Sequence, residues 1–356
     1  AARLAISLLF FVNGLGFASW VTRIPAVRGA LGLDEAQLGW ALFAMAGGAL
    51  LSFPLAGRAC ARHGARRTTL VIGALYCVML TLPGQATSLP LLALALALFG
   101  AANGAMDVAM NAHAVEVEVH VGKPIMSSLH GVWSAGGLVG AAAGGLAAGQ
   151  GLSPALHLAI VAVVLAGVVV AVRRHLPPST PHDGPAGPKF AWPSAAMLGL
   201  GVVIFCAFLV EGGMADWSAV YLQDGLGTSA AVATVGYSVF SLTMMVMRFL
   251  GDTVVARWGA VPLLRWSNAA AALAFAAALW TGHRGLTLAA FALTGLAIAT
   301  VAPLVFGAAA RRSTSSAGQG IAAMATMGYS GFLLGPAIIG MVAHASSLRL
   351  ALALLV

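Results

Sequence analysis

The sequence predicts an all-α protein that crosses a membrane with eleven helices and part of a twelfth. Of its 356 residues, 60% are hydrophobic and only 8% are charged, whereas soluble domains carry roughly 25% charged residues. The hydrophobic residues form continuous runs of about 20, the length that a helix needs to cross the hydrocarbon core. The 44 glycines are typical of membrane helices, because small residues let neighbouring helices approach closely.

The spans follow one another with short connections. The first six cover residues 3–21, 38–56, 68–82, 89–115, 125–148 and 154–172, and the others cover 195–221, 231–250, 261–280, 286–310, 318–343 and 348 to the end. A polar, proline-rich stretch at 173–194 is typical of a linker. We therefore expect an N-terminal six-helix bundle at 1–172, a linker at 173–194 and a C-terminal bundle at 195–356. The last run is only half a bilayer long, so the twelfth helix is expected to be incomplete in this chain.

The net charge of +8 does not indicate a nucleic-acid partner, because the basic residues lie in short clusters between apolar runs. With the N-terminus in the cytoplasm, all but four of the 18 Lys and Arg residues fall on the cytoplasmic side. The four exceptions are Arg23, Arg28, Arg284 and Arg349. This asymmetry follows the positive-inside rule. It predicts a multi-pass protein of the bacterial inner membrane, with the N-terminus and the linker cytoplasmic and the lipid bilayer as its surroundings.

The two halves of the chain resemble each other. Ser19-Trp20 ends the first span and Asp216-Trp217 lies in the seventh, and a basic loop follows each next span, at 57–64 and 252–259. Self-similarity of this kind is typical of transporters built from parallel repeats, which bind their solute near the midplane. We therefore expect two bundles related by a pseudo-two-fold axis.

The segment GRACARHGARR, at 57–67, resembles the signature loop between helices two and three of the major facilitator superfamily. The acidic position of that pattern is occupied by Ala61, and by Ala256 in the second copy. The resemblance implies that the loop controls the conformational change, and the missing acid leaves open whether its latch works in the usual form. The residues implied in gating are Gly57, Arg62, Gly64, Arg66, Arg67, Asp252 and Arg257.

A narrower resemblance comes from Asp107-Val-Ala-Met-Asn111, followed by the stretch from Gly122 to Trp133. Together they look like the MosC-like, fucose-permease-related branch of the same superfamily, which is associated with sugars and sugar-like compounds. The resemblance implies a monomeric secondary transporter that carries a small polar solute by alternating access.

The fourth span offers the first candidate site. Asn103, Asp107 and Asn111 recur at steps of four residues and therefore share one stripe of a helix. An ionisable group at membrane depth is costly and is a functional candidate by default. We predict that Asp107 binds a proton or a polar group of the solute. The alternative is a buried acid that only hydrogen-bonds a neighbouring helix.

The seventh span offers Glu211 and Asp216. Five residues separate them by about 140° on a regular helix, so they can share a face only if the helix breaks at Gly212-Gly213. Broken helices build binding sites in many transporters. In the eighth span, Arg248 is expected to reach lipid phosphates or to pair with Asp252.

Other candidates are polar or aromatic side chains within spans, any of which could instead serve packing or helix–helix hydrogen bonds. His130 could relay protons, and the aromatic rings could stack on a sugar ring. The set comprises Asn13, Trp20, His130, Trp133, Trp217, Tyr237 and Tyr329.

The sequence contains no Walker loop and no catalytic motif, so we expect no enzyme activity, no cofactor and no metal. Transport would then be driven by a gradient, with protons as the coupling ion and a small molecule as the substrate. Two alternatives stay open. One is a proton-driven exporter of amphipathic compounds. The 13 methionines would suit such an exporter, because methionine side chains form adaptable binding surfaces. The other is a non-transporting receptor or scaffold.

Overall fold

A computed structural model describes residues 1–122, 125–179, 197–312 and 317–356. The side chains at 127, 252, 310–312 and 317–322 lie outside this description, as does most of the predicted linker. Throughout the described ranges the regular structure is helical, and eleven of these helical stretches are long and apolar enough to cross a membrane. The prediction of an all-α membrane protein is confirmed.

Fourteen helices, α1 to α14, follow in chain order across the described ranges. They are Ala2–Val21, Ile24–Leu31, Glu35–His63, Ala65–Leu80, Leu89–Val121, Met126–Gly149, Pro154–Val172, Leu198–Val220, Ala230–Trp258, Ala260–Thr281, Arg284–Ile298, Val301–Arg312, Ala317–Ala345 and Leu348–Leu352.

Several helices extend beyond the predicted spans, such as α3 to His63 and α9 to Trp258, and the order of elements differs in two places. The short helix α2 lies between the first two spans, where no element was predicted. The predicted span at 286–310 is divided into α11 and α12 at Ala299 and Thr300. Pro303 explains this break, because its ring clashes with the carbonyl group four residues earlier, at Ala299, and it cannot donate a hydrogen bond.

The described residues form two compact units. The first comprises 1–33 and the described part of 44–187, and the second comprises 34–43 and the described part of 188–356. Large apolar side chains such as Leu146, Val163 and Trp280 are exposed on the helices. Such surfaces suit a lipid environment, because hydrocarbon chains solvate them without cost.

In the first unit, α6 packs most extensively against α1. A Cβ atom on Gly136 would overlap the carbonyl oxygen of Phe11, and one on Gly140 would overlap that of Leu15. The two backbones therefore approach more closely than any other residue type would allow. This contact brings the polar side chains of α1 and α6 within hydrogen-bond distance of each other.

In the second unit, α13 packs against α8 in the same manner. A Cβ atom on Gly331 would overlap the carbonyl oxygen of Phe205. The residues 34–43, at the start of α3, also belong to this unit and lie against α13. A Cβ atom on Gly340 would come within 2.6 Å of the Glu35 carbonyl oxygen.

The predicted internal repeat has a close counterpart in backbone geometry. Gly64 precedes α4 with φ 78° and ψ 147°, and Gly259 precedes α10 with φ 81° and ψ 148°. This left-handed φ favours glycine, since a Cβ atom would strain it. The two turns that follow the long helices α3 and α9 therefore have the same conformation.

Candidate functional site

An amide cluster, formed by Asn13, Asn103 and Trp133, lies in the first unit. The Asn13 side chain is buried, and its Nδ2 donates to Oδ1 of Asn103 over 3.1 Å. Its Oδ1 accepts a 2.7 Å hydrogen bond from the indole Nε1 of Trp133. Helices α1, α5 and α6 each contribute one side chain, so the cluster joins three spans.

Tyr76, on α4, hydrogen-bonds to the main chain beneath the Asn13 side chain and so helps to hold this cluster. Its hydroxyl group donates to the main-chain carbonyl oxygen of Asn13 over 2.7 Å, and its ring stacks on Phe99 at 5.4 Å between centroids. A Cβ atom on Gly16 would lie 2.6 Å from the Tyr76 oxygen. Tyr76 was not predicted as a site residue, although a tyrosine within an apolar span is itself a signal that a hydrogen-bond partner is near.

The stripe predicted on the fourth span lies on α5, where Asn103, Asp107 and Asn111 are all half-buried. Nδ2 of Asn111 donates to the Asp107 carboxylate over 3.0 Å and to the Asp107 carbonyl oxygen over 2.8 Å. Asp107 is thus held by its own helix. Asn103, one turn away on α5, belongs to the amide cluster.

His130 and Trp133 occupy different environments on α6. His130 is exposed and meets the edge of Phe10 at 5.5 Å between ring centroids. The half-buried Trp133 ring lies 6.3 Å from Phe17 and donates to Asn13. Trp133 therefore joins α6 to α1 by a hydrogen bond, and its stacking on a solute ring stays a prediction.

An ion-pair cluster, formed by Glu211, Tyr237 and Arg248, lies in the second unit. Nη2 of Arg248, on α9, lies 3.4 Å from Oε1 of Glu211, on α8, and each side chain is 20% exposed. Tyr237 is buried within electrostatic range of both charges and stacks on Phe240. The contact with Glu211 was not predicted for Arg248, and the side chain of Asp252 lies outside the description.

Helix α8 continues unbroken through Gly212 and Gly213 and ends in a π-helical turn at Tyr221–Gly225. The break that would place Glu211 and Asp216 on one face is therefore absent at these glycines. Asp216 is half-buried and, within the described ranges, forms neither a hydrogen bond nor an ion pair. It nevertheless lies within electrostatic range of Tyr237.

The remaining aromatic candidates differ in how much of each side chain is exposed. Trp20 and Trp217 are fully buried, so neither ring face is open to a solute in this conformation. Tyr329, on α13, is half-buried and lies edge-on to Phe208 at 5.7 Å and 6.1 Å from Phe332.

The loop that resembles the family signature covers the end of α3, Gly64 and the start of α4. The main-chain N–H of Arg66 donates to the Ser179 hydroxyl group over 2.9 Å, and its guanidinium donates to the Arg173 carbonyl oxygen over 2.6 Å. Ser179 in turn donates to the carboxylate of Glu116, on α5. Glu116 also lies within electrostatic range of Cys60, and it therefore supplies an acid beside the loop whose acidic position is Ala61.

The residues predicted to act in gating in the second unit, Asp252 and Arg257, are only partly described. Arg257 lies in the last turn of α9, ahead of Gly259. The side chain of Asp252 lies outside the described residues.

Comparison with known proteins places this arrangement in a family. The sequence profile described as "Major Facilitator Superfamily" matches residues 6–350. The uncharacterized transporter y4wD of Sinorhizobium fredii is 36% identical over 96% of this chain and 91% of its own length. The membrane protein MosC of Rhizobium meliloti is 35% identical over 98% of this chain and 85% of its own length.

Solved structures share the fold at low sequence identity. The D323A mutant of the nucleoside transporter NupG superposes with a TM-score of 0.78 at 16% identity, covering 99% of this chain and 96% of NupG. A D-xylose–proton symporter superposes with a TM-score of 0.72 at 13% identity, with the same two coverages. With 36% identity to a transporter over nearly the whole chain and a family match over residues 6–350, this multi-pass membrane protein belongs to the Major Facilitator Superfamily and is a transporter of that type.

Proposed function

We propose that the chain is a secondary active transporter of the bacterial inner membrane that moves a small, sugar-like solute together with protons. Its two halves, 1–172 and 195–356, would alternate access to a central site, with the N-terminus in the cytoplasm. The observation that carries the proposal is the amide cluster. Neutral amides hydrogen-bond to the hydroxyl groups of a sugar, and an aromatic ring beside them stacks on the apolar face of the sugar ring.

The hydrogen-bond geometry leaves capacity for a solute. Asn103 accepts from Asn13 with its carbonyl oxygen, which leaves its NH2 group to donate to a hydroxyl. Asn13 has a second donor hydrogen on the same nitrogen. A solute hydroxyl at this position would therefore bind two amides of fixed orientation, because Trp133 and Tyr76 hold Asn13 from two sides.

Asp107 is the proposed proton site. It is half-buried on the same helix as Asn103, one turn away, and Asn111 donates to its charged oxygen. Protonation would remove the charge and weaken that bond. A proton can shift a conformational equilibrium only by binding the two states with different affinity, and the position of Asp107 beside the amide cluster links this difference to the solute. Glu211 is the second proposed proton site, since protonation would release Arg248.

Control of the cytoplasmic end is proposed for the signature loop. Ser179 connects the loop at Arg66 to Glu116 of α5, so the chain entering the linker holds α4 and α5 together. Glu116 would serve here where the family pattern uses the acid that Ala61 replaces.

Proton flux driven by solute in proteoliposomes tests the proposal. The panel comprises pentoses, hexoses, polyols and nucleosides, with a pH-sensitive dye inside the vesicles. The wild type is expected to take up protons with at least one of these solutes, and Asp107→Asn is expected to lose this flux while it still exchanges labelled solute. Asp34→Asn is the matched control, because Asp34 is 40% exposed and caps α3, a role that asparagine also fills.

Two results would contradict the proposal in different ways. Uptake by Asp107→Asn with an unchanged pH dependence would remove Asp107 from the coupling mechanism. No flux with any polar solute, together with proton-driven export of amphipathic cations, would instead support the exporter of amphipathic compounds.

A further inference from the structure

Three buried polar residues lie at the end of the first unit where α1 ends and α7 begins. Trp20 is 0% exposed, Arg23 is 2% exposed and His157 is 4% exposed. The N–H of Arg23 donates to the carbonyl oxygen of Trp20 over 2.8 Å, which places both on one turn. His157, on α7, lies within electrostatic range of the Arg23 guanidinium.

Most of the polar atoms in this group have no protein partner within the described ranges. They are the indole Nε1 of Trp20, Nε and Nη1 of Arg23, and both ring nitrogens of His157. Arg23 donates from Nη2 to the main-chain carbonyl oxygen of Leu152, between α6 and α7. No carboxylate among the described residues pairs with Arg23, which sets it apart from Arg248.

The chemistry of these side chains defines what would satisfy them. Arginine and tryptophan only donate hydrogen bonds, and a neutral histidine donates one. Arginine stays charged in proteins, and a buried charge without a partner is strongly unfavourable. A water molecule would accept hydrogen bonds but would leave the charge uncompensated. A small anion would accept the bonds and neutralise the charge.

We propose that Trp20, Arg23 and His157 form a binding site for a small monovalent inorganic anion such as chloride or bromide. The near-complete burial of all three side chains favours a small ligand over a large one. Trp20 lies seven residues beyond Asn13, about 10 Å along the helix, so the site is separate from the amide cluster. The bound anion connects the end of α1, the turn at Leu152 and the start of α7.

The corresponding turn of α8 provides an internal comparison. It carries Trp217, whose indole nitrogen is likewise buried without a described partner. The residue before it is Asp216, where the first repeat has Ser19, and the turn carries no cation. An acid beside the tryptophan repels an anion, and the position three residues after it is Val220 where the first repeat has Arg23, so only the first repeat has the charge for an anion site.

Thermal unfolding of the purified full chain in detergent tests the site without any transport assay. Sodium chloride or bromide is compared with sodium gluconate at equal ionic strength. The wild type is expected to melt at a higher temperature in the halides, with a saturating concentration dependence. Arg23→Gln is expected to weaken the apparent affinity by about tenfold or more, the loss typical of a hydrogen bond to a charged group. Arg284→Gln, which removes an exposed arginine that also donates to carbonyl oxygens, should leave the dependence unchanged.

Bromide quenching of tryptophan fluorescence keeps the proposal testable if Arg23→Gln does not fold. The wild type is expected to show a saturable quenching component, which Trp20→Phe should lose and Trp217→Phe should retain. Equal melting temperatures in halide and gluconate, or quenching without a saturable component, would overturn the proposal and leave a site that holds only water. Because neither measurement uses a solute, these outcomes are independent of the proposed sugar transport.

Discussion

In the first unit, α6 lies against α1 where Gly136 approaches the backbone at Phe11, and in the second unit α13 lies against α8 where Gly331 approaches Phe205. The turns at Gly64 and Gly259 agree to within a few degrees in φ and ψ. The polar side chains beside these contacts differ. The first unit has a neutral amide cluster, and the second has an ion pair between Glu211 and Arg248.

This difference separates two kinds of constraint on a repeated sequence. Close helix contacts depend on backbone shape, because a side chain larger than that of glycine would overlap the neighbouring backbone at those positions. The polar groups are free to diverge, because each has to satisfy only its own partners. The repeat therefore preserves the packing of the helices, while the polar groups beside the two contacts differ.

Alanine at the two glycine contacts tests the shared part of this comparison. Gly136→Ala and Gly331→Ala are each expected to lower the free energy of unfolding by about 1–3 kcal/mol, the usual effect of overpacking. Gly137→Ala is the control, because a Cβ atom on Gly137 meets nothing within 4 Å. Melting temperatures in detergent measure the effect. A loss in only one unit would show that the two contacts are not equivalent.

Neutralising the ion pair tests what distinguishes the second unit. Glu211→Gln or Arg248→Gln alone leaves one charge without its described partner at membrane depth, so each is expected to slow transport by about tenfold or more. The double variant removes both charges and should regain folded yield relative to either single variant. Initial uptake rates and yields measure this. If the double variant loses as much folded yield as the two single variants combined, the two charges act independently.

Truncating the amide cluster tests what distinguishes the first unit. Asn13→Ala removes the hydrogen bonds to Asn103 and Trp133 and is expected to raise the KM for solute about fivefold, which corresponds to about 1 kcal/mol. Asn103→Ala removes only one of these bonds and should have a smaller effect. Asn268→Ala is the control, because Asn268 donates to its own helix at Leu264. A rise in KM for the control equal to that for Asn13→Ala would remove the cluster from solute binding.

The spans could be predicted because each is a long apolar run, which the sequence shows directly. The helix α2 was missed because its eight residues include Pro25 and Arg28 and look like a connection. Asn13 and Asp107 were predicted as candidates because they are polar residues in apolar runs, a pattern that can be read without knowing their neighbours in the fold.

Pairing between helices was harder to predict, because the periodicity of one helix carries no information about its partner. Arg248 was placed from its distance to the end of its own helix. The similar depth of Glu211 and Arg248 in their helices could have predicted that they pair. Glu211 lies about 20 Å from the start of α8, and Arg248 lies about 15 Å from the end of α9, measured along helices that begin and end on the same predicted side. A long arginine side chain covers the difference.

A contact between a histidine and a carboxylate in the second unit gives the smallest expected effect and tests whether burial explains the larger effect predicted for the Glu211–Arg248 pair. Nδ1 of His344 lies 3.9 Å from the Asp34 carboxylate, and the two side chains are 57% and 40% exposed. Exposed pairs contribute about 0–1 kcal/mol because water screens them. His344→Gln is therefore expected to change the free energy of unfolding by less than about 0.5 kcal/mol and uptake by less than about twofold.

The contact between α3 and α13 depends instead on Gly340, whose Cβ would approach the Glu35 carbonyl oxygen to 2.6 Å. Gly340→Ala should therefore destabilise the protein more than His344→Gln does. If His344→Gln impaired uptake as strongly as Arg248→Gln, burial would not explain the difference between the two pairs.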